Sequence, residues 1–495
     1  MNFISLACFV FLASACLVYF VLPKAVRTFW LLVCSYLFYL YNPQNAGFIV
    51  LLLGTSAITY LGAILLDVLH EKNIWLRRGI LFLALLACLG SLVYYKYTGF
   101  LSELFSGFLL QFGVRTTPPK FDIAVPLGIS YFTFMAMGYL LDVHRGKNKA
   151  ERNFLYVALF LSFFPCIVAG PIERADHLLP QFQKQHTFDY NRVAGGLFRV
   201  AWGCFKKLVI ANTIGGIVHT VYKYMGRYDG PTLLLASLLF SYQLYIDFSA
   251  LSDIAIGSGA VFGFTIMENF KRPLAASTFS DLWRRWHISL SSWFRDYIYI
   301  PLGGNRKGKL RAHANQLIVF AISGLWHGAS IGYLIWGLLN GVYLCIGKET
   351  AAIRAKINAR NPLYKLTFIR NFIGACITYL LFTSCIVFFC AEINAGGVSD
   401  ALYVYTHLFT GWDVLFVNWS GFVKTLVALG FNNVTTFVLL GSVFVVEGME
   451  YVQTPMNKLI RQIPMILRWA LYYALILMIG FFGVFGQSSF IYQKY

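Results

Sequence analysis

The stretch Ser323-Gly-Leu-Trp-His-Gly-Ala329 places one histidine, His327, inside a run of residues that is compatible with lipid. An ionisable side chain at membrane depth is costly, so its presence indicates a functional site. Upstream, the basic and aromatic stretch Asp281-Leu-Trp-Arg-Arg-Trp-His287 ends in a second histidine. We therefore expect the chemistry of the protein in this part of the chain.

The composition is that of a membrane protein. Of the 495 residues, 58% are hydrophobic and 12% are charged, whereas soluble domains have about 25% charged residues. Apolar runs long enough to cross a bilayer recur along the chain, and we count about 11–12 of them. The sequence therefore predicts an all-α polytopic membrane protein, with re-entrant and interfacial amphipathic helices in addition. The first run, 3–22, lacks a basic n-region, so we expect it to be a retained span.

The charge and the cysteines exclude other classes. The net charge of +19 fits loops that follow the positive-inside rule better than it fits nucleic-acid binding. The ten cysteines form no C-x-x-C pair. Neither a disulfide framework nor a thiolate metal site is therefore predicted, and we expect no metal.

The apolar stretch 316–346 is predicted to enter the membrane and return. Both of its flanks are basic and are expected to face the cytoplasm. A stretch of about 30 residues cannot make two crossings of about 20 residues each. His327 would then lie near a buried turn; the alternative is a histidine packed within an ordinary helix. Four glycines are expected to supply backbone freedom for the turn: Gly324, Gly328, Gly332 and Gly337.

Residues 281–297 are predicted to form one interfacial amphipathic helix, with Ser280 as its N-cap. Aromatic side chains fall on one face of this helix, and arginine and serine side chains fall on the other. His287 would lie at the apolar edge, either as a histidine of the membrane belt or as part of the site. Two further carboxylates at membrane depth, Asp247 and Asp253, must be paired or must line a cavity.

A set of motifs in the middle of the chain resembles the membrane-bound O-acyltransferase family, and within it the bacterial branch of alginate and peptidoglycan O-acetyltransferases. In combination these motifs are highly specific. They are Gly170-Pro-Ile-Glu-Arg174, Asp247-Phe-Ser249 with Ser252-Asp-Ile-Ala-Ile-Gly257, Glu268-Asn-Phe270, Trp283-Arg-Arg-Trp-His287, Phe294-Arg-Asp-Tyr-Ile-Tyr-Ile-Pro-Leu-Gly-Gly-Asn305 and Gly324-Leu-Trp-His-Gly328.

The resemblance implies roles for individual residues. It implies that His327 is the catalytic histidine and that His287 is an auxiliary one. The C-terminal Phe490-Ile-Tyr492 resembles an aromatic motif in which the tyrosine carries the acyl group transiently; the alternative is an aromatic anchor at the interface. The residues that we expect to bind substrate are Trp326, Trp283, Arg284, Arg285, Trp286, Asp253 and Asn269.

The reaction that follows is acyl transfer across the membrane, with no bound cofactor. The donor would be a cytoplasmic thioester, acetyl-CoA or an acylated carrier protein, drawn to the basic surface 271–311. His327 would take the proton of an attacking hydroxyl, and His287 would orient the donor or stabilise the oxyanion. The chain has no Gly-x-Ser-x-Gly elbow, so we expect a separate extracytoplasmic SGNH or esterase-like acyltransferase as partner. A polysaccharide would be the final acceptor.

We expect a single integral-membrane domain over 1–495 in the inner (plasma) membrane of a bacterium. It would comprise N-terminal helices (1–120), a catalytic core (121–347), C-terminal helices (348–486) and an extracytoplasmic aromatic tail (487–495). Membrane lipid would surround it, and no nucleic acid would bind. Two alternatives remain: D-alanyl transfer toward teichoic acid, and a transporter or flippase with a polar site at the membrane midplane.

Overall fold

The computed structural model describes residues 3–486 except 70–72, 115, 116, 118, 120–122, 361–365 and 452–461. Throughout these described residues the regular secondary structure is helical, with no strand. The predicted all-α membrane fold is confirmed. A chain in lipid must satisfy its backbone N–H and C=O groups internally, and helices do so within one segment.

Seven helices among the described residues are long and apolar enough to cross a membrane, and Leu6–Val21 is a shorter apolar helix. The sequence count of about 11–12 also included apolar runs whose helices have 16 residues or fewer, such as Arg27–Leu40 and Ile129–His144. The seven are Pro43–Val68, Ile74–Gln111, Gly230–Phe262, Ile331–Glu349, Thr367–Asn394, Asn433–Tyr451 and Met465–Phe482.

The described residues form two compact units. The first unit contains residues 3–200 and 252–267, and the second contains residues 201–251 and 268–486. The helices of the first unit are α1 (Leu6–Val21), α2 (Arg27–Leu40), α3 (Ile49–Val68), α4 (Ile74–Gln111), α5 (Ile129–His144), α6 (Phe154–Ser162), α7 (Phe164–Ile167), α8 (Ala175–Gln183) and most of α9 (Tyr190–Phe205).

The second unit contains all of the residues that surround the two histidines. Two π-helical segments, Lys206–Ala211 and Arg295–Tyr299, interrupt its helices. Its helices are α10 (Asn212–Lys223), α11 (Gly230–Phe262, of which 252–262 belong to the first unit), α12 (Phe279–Arg285), α13 (Ile288–Phe294), α14 (Lys309–His327), α15 (Ile331–Glu349), α16 (Ala351–Arg360), α17 (Thr367–Asn394), α18 (Val398–His407), α19 (Val414–Val417), α20 (Trp419–Ala428), α21 (Asn433–Tyr451) and α22 (Met465–Phe482).

Helices α14 and α15 form the predicted hairpin, with His327 at the turn. Each has 19 residues, so each is about 28 Å long, close to the ~30 Å of a hydrocarbon core. The prediction that 316–346 is too short for two crossings did not include the polar start of α14 at Lys309 or the end of α15 at Glu349.

Glycines allow α14 and α15 to approach closely. A Cβ on Gly324 would lie 2.2 Å from the Tyr333 carbonyl oxygen, and a Cβ on Gly337 would lie 2.2 Å from that of Phe320. Small residues permit such backbone contact between membrane helices. The prediction that these glycines supply backbone freedom is wrong, because neither of them, nor Gly328 or Gly332, has a positive φ.

The predicted single helix over 281–297 is also wrong. Helix α12 begins after Thr278, whose side chain accepts a hydrogen bond from the Asp281 N–H, so Thr278 and not Ser280 is the N-cap. The helix ends at Arg285, and His287 adopts a left-handed conformation with φ 44° before α13 begins. The aromatic face is buried within the protein instead of lying on lipid, because it packs against helices of the second unit.

Candidate active site

His327 is the last residue of α14 and lies at the turn into α15. Its side chain is 4% exposed. Three aromatic rings pack around the imidazole: Trp326 and Trp336 at 5.0 Å and Phe389 at 5.5 Å between ring centroids. The packing of α14, α15 and α17 therefore encloses the histidine that the sequence singles out.

His287 occupies the break between α12 and α13 and is 1% exposed. Of the two alternatives for this residue, the membrane-belt histidine is therefore wrong. Its ring lies 4.6 Å from that of Phe248, and its Nδ1 lies 3.2 Å from Oδ1 of Asn269. The Asn269 carbonyl also accepts the N–H of Ile288 at 2.9 Å, so Asn269 holds the strained turn from two sides.

The hydrogen bonds of Asn269 define the tautomer of His287. The backbone N–H of Ser289, which can only donate, contacts Oδ1 of Asn269 at 3.2 Å, and the Ser289 hydroxyl donates to the same oxygen at 2.9 Å. Because that oxygen is an acceptor, Nδ1 of His287 must carry a proton and donate to it. Burial lowers the pKa of His287 to about 3, so the ring is neutral and Nε2 carries the lone pair.

One indole brings the two histidines into the same site. The Trp326 ring lies 5.9 Å from that of His287 and 5.0 Å from that of His327. The two imidazole centroids are therefore separated by no more than the sum of these distances, about 11 Å. Forty residues of sequence separate the histidines, yet both contact the same side chain.

The other predicted substrate-binding residues near α12 differ in their surroundings. Trp283 packs against Phe320 at 4.8 Å and Trp336 at 6.0 Å, so it borders the His327 site. Trp286 is buried against other aromatic rings. Arg284 is exposed, and Arg285 pairs with Asp281 at 2.7 Å. Their roles in substrate binding stay predictions.

The two carboxylates at membrane depth are paired, as predicted. Asp253 lies in the first unit and binds Nε of Arg199 at 2.9 Å. Asp247 lies in the second unit and binds Nζ of Lys207 at 2.5 Å. The described contacts of Asp253 thus give it a structural partner, and its role in substrate binding stays a prediction.

Four residues of the second unit were not predicted: two buried lysines and two aromatic residues beside His327. Lys206 and Lys207 are buried in the π segment, where Lys206 donates to the Ser249 hydroxyl at 2.9 Å. Two lysines in an apolar segment were a usable signal, because buried charges must be paired. Trp336 and Phe389 had no such signal, since aromatic residues in apolar helices are usual.

Two predictions remain, one on the C-terminal tyrosine and one on metal binding. Tyr492 lies outside the described residues. In the part of the chain that the structure describes, no group of three or more His, Cys, Asp or Glu residues could hold a metal ion.

Ionisable groups enclosed in a helical membrane protein define a class that performs chemistry or transport within the membrane. The chain belongs to the membrane-bound O-acyltransferase family, which residues 27–391 match. It is therefore a multi-pass membrane protein and an acyltransferase, and the family assignment argues against the transporter alternative.

The relatives of this chain include proteins named as three kinds of enzyme. The Pseudomonas aeruginosa protein named "Probable alginate O-acetylase AlgI" is 35% identical over 372 residues, which cover 74% of this chain and 69% of the relative. The peptidoglycan O-acetyltransferase of Helicobacter pylori is 32% identical over 405 residues, which cover 74% of each. The teichoic acid D-alanyltransferase of Bacillus subtilis is 28% identical over 239 residues, which cover 46% of this chain and 60% of the relative.

Proposed function

We propose that this enzyme moves an acetyl group from a cytoplasmic thioester donor across the membrane for O-acetylation of an extracellular or cell-wall polysaccharide. The observation that carries the proposal is the enclosure of His327 beside a second buried histidine, with Trp326 between them. Acetyl transfer is favoured over D-alanyl transfer because the two O-acetyl relatives match more of the chain at higher identity.

His327 acts as the general base in this proposal. As the acceptor hydroxyl attacks the thioester carbonyl carbon, its proton passes to His327 and the carbonyl oxygen becomes an oxyanion. The intermediate collapses with cleavage of the carbon–sulfur bond. The departing thiolate then takes the proton from the imidazolium, so the histidine returns to its starting state.

The tautomer of His287 favours an orienting role over oxyanion stabilisation. Its Nδ1 proton is given to Asn269, and its Nε2 carries a lone pair, which can accept a hydrogen bond but cannot donate one. A hydroxyl group can donate to such an atom, whereas an oxyanion cannot. We therefore assign His287 to the orientation of a reacting partner.

The C-terminal tail supplies the acyl relay in this proposal, with Tyr492 as the acceptor hydroxyl. Val484 is anchored in the second unit, because its N–H donates to the Leu208 carbonyl at 2.9 Å and its carbonyl accepts from Asn212 Nδ2 at 2.8 Å. The eight residues from Val484 to Tyr492 can span at most about 28 Å. The tail thus starts from the same unit as both histidines.

The remaining parts of the proposal concern location and partners. We place the enzyme in the bacterial inner membrane with its C-terminus outside. A separate extracytoplasmic SGNH or esterase-like acyltransferase would take the acetyl group from the tail to the polysaccharide. The basic surface 271–311, with exposed Arg284, Arg295 and Lys307, would attract the anionic donor, acetyl-CoA or an acylated carrier protein.

The test uses purified full-length protein with radiolabelled acetyl-CoA, and a labelled acyl carrier protein as the second donor. We expect His327→Gln to lower the rate of thiol release about 10²–10⁴-fold. His313→Gln is the matched control, because His313 lies on the same helix but pairs with Glu349 at 3.0 Å. It should retain activity.

The retained label tests the relay separately. Wild-type protein should hold labelled acetyl, and Tyr492→Phe should not. Label lost with His327→Gln but kept with Tyr492→Phe would contradict the relay and leave the acyltransferase proposal intact. Full activity of His327→Gln would overturn the assignment of the base.

A further inference from the structure

A buried donor without a partner lies directly beside His327. Trp336 is 2% exposed, its ring is perpendicular to that of His327 at 5.0 Å, and its Nε1 has no hydrogen-bond partner among the described residues. Leaving a buried N–H unpaired costs about 1–3 kcal/mol. The contact with His327 gives this N–H a position from which it can donate to a ligand bound at the histidine.

A buried acceptor without a partner lies one helical turn further along α15. Asn340 is 0% exposed, and its Nδ2 donates to the Trp336 carbonyl at 2.7 Å. Its Oδ1 has no hydrogen-bond partner in the described part of the chain. Residues four apart share a helix face, and the backbone positions of Trp336 and Asn340 are about 6 Å apart along the axis.

We infer that Trp336 and Asn340 form the binding site for the acyl thioester and the first amide of a pantetheine arm, an inference that rests on the proposed function. Trp336 Nε1 donates to the thioester carbonyl oxygen, and Asn340 Oδ1 accepts the amide N–H. In pantetheine, sulfur and two methylenes separate the acyl carbon from the amide nitrogen, which spans about 5 Å when extended. That span is close to the rise of about 6 Å between the two residues along α15.

The order of the two residues fits entry of the donor from the basic end of the helix. Asn340 lies between Trp336 and Lys348, the cation in the last turn of α15. The charge pattern predicts this end at the cytoplasmic side. The acetyl group would reach His327 first, with the rest of the arm trailing past Asn340. CoA and acyl carrier proteins share this arm, so the site serves either donor.

Trp336 takes part in the chemical step through the oxyanion. When the hydroxyl oxygen bonds to the acyl carbon, the carbonyl π pair moves to oxygen, and the indole N–H stabilises that charge. When the pair returns, the carbon–sulfur bond breaks, and the thiolate leaves with the proton from His327. The indole keeps its proton throughout. This supplies an oxyanion donor that His287 cannot supply, because its Nδ1 proton is given to Asn269.

The test compares two small donors that differ in one group. S-acetyl-N-acetylcysteamine has the thioester and the amide, and S-(2-acetoxyethyl) thioacetate has an ester oxygen in place of the amide N–H. Initial rates of thiol release are measured over a range of donor concentrations with full-length wild type, Asn340→Leu, Trp336→Phe and Asn315→Leu. Asn315 is the matched control: it is also buried, and its Oδ1 also has no partner among the described residues, but its Nδ2 contacts the carbonyls of Leu302 and Gly304.

Asn340→Leu should lower kcat/KM about 10-fold with the amide donor and leave it unchanged with the ester donor. A general packing defect would lower both equally, which would overturn the assignment of Asn340. Asn315→Leu should leave the ratio of the two donors at the wild-type value.

Trp336→Phe should lower kcat/KM about 10²–10³-fold with both donors, chiefly through kcat. An unchanged kcat, or an effect on KM alone, would overturn the oxyanion role. If wild-type protein releases no thiol from acetyl-CoA or from an acylated carrier protein, the proposed function itself fails. If it does so and the variants show no donor-specific effect, the inference alone fails.

Discussion

The second unit contains two groups of buried polar side chains that differ in how they are paired. In the charged group, Lys207 binds Asp247 at 2.5 Å and Lys206 donates to Ser249 at 2.9 Å. In the histidine site, some polar atoms have no partner within the described residues. They include Trp336 Nε1, Trp283 Nε1 and Asn340 Oδ1.

The difference separates stabilising groups from groups that await a substrate. Charges in a membrane interior are costly unless they are paired, so the charged group is complete within the protein. Unpaired donors and acceptors also destabilise the fold, and we assign those beside His327 to the binding of a ligand. The two groups are connected, because Phe248 lies between Asp247 and Ser249 and packs against His287 at 4.6 Å.

The largest effect on stability is expected from breaking the charged group. Asp247→Asn removes the carboxylate charge that lies 2.5 Å from the buried Lys207 ammonium, which should lower the free energy of unfolding by about 3–5 kcal/mol. The measurement is unfolding by SDS titration in mixed micelles. The double variant Asp247→Leu with Lys207→Met should recover much of the loss, because it removes both charges together.

Asp253→Asn is the matched comparison for that experiment. Its pair with Arg199 is partly exposed, with 26% and 14% of the two side chains accessible, so solvent should reduce the loss. Equal losses for Asp247→Asn and Asp253→Asn would contradict the distinction that we draw from burial.

The sequence predicted the hairpin and its histidine because both depend on local features. Basic flanks and one ionisable residue in an apolar stretch suffice to place His327 at a turn. The paired carboxylates could also be predicted, since a charge at membrane depth requires a partner. The partners Lys207 and Arg199 could not be identified by the same reasoning, because pairing depends on how helices pack.

The sequence pattern did not predict the break in the helix at His287. Periodicity favours a continuous helix over 281–297, whereas the structure has a left-handed residue at φ 44°. A residue other than glycine rarely adopts that conformation unless its surroundings hold it there. Asn269 stabilises this conformation from 18 residues away. A pattern of neighbouring residues cannot predict such a contact.

An intermediate loss of stability is expected at acid pH, and it arises from His287 in the histidine site. Burial lowers the pKa of His287 to about 3, while an unfolded histidine has a pKa of about 6.5. Between these values the unfolded chain binds a proton and the folded chain does not. Stability is therefore full above about pH 6.5 and falls as the pH decreases, by about 2 kcal/mol between pH 7 and pH 5.

The control for this effect is His287→Asn, which removes the titrating ring. The difference in unfolding free energy between pH 7 and pH 5 should be smaller in the variant than in wild type by that amount. The contacts described for the ring are with Asn269, Phe248 and Trp326, which are uncharged. An identical pH dependence of the two proteins would contradict a neutral buried imidazole.

The smallest effect on stability is expected from Trp336→Phe. The smaller ring leaves a void that lowers stability, but the variant also removes a buried N–H that has no partner within the described residues, which raises it. The two terms oppose each other, so the free energy of unfolding should change by about 1 kcal/mol or less. Together with a large loss of kcat, this result would separate catalysis from stability at one residue. A loss as large as that of Asp247→Asn would show instead that Trp336 belongs with the charged group as a structural residue.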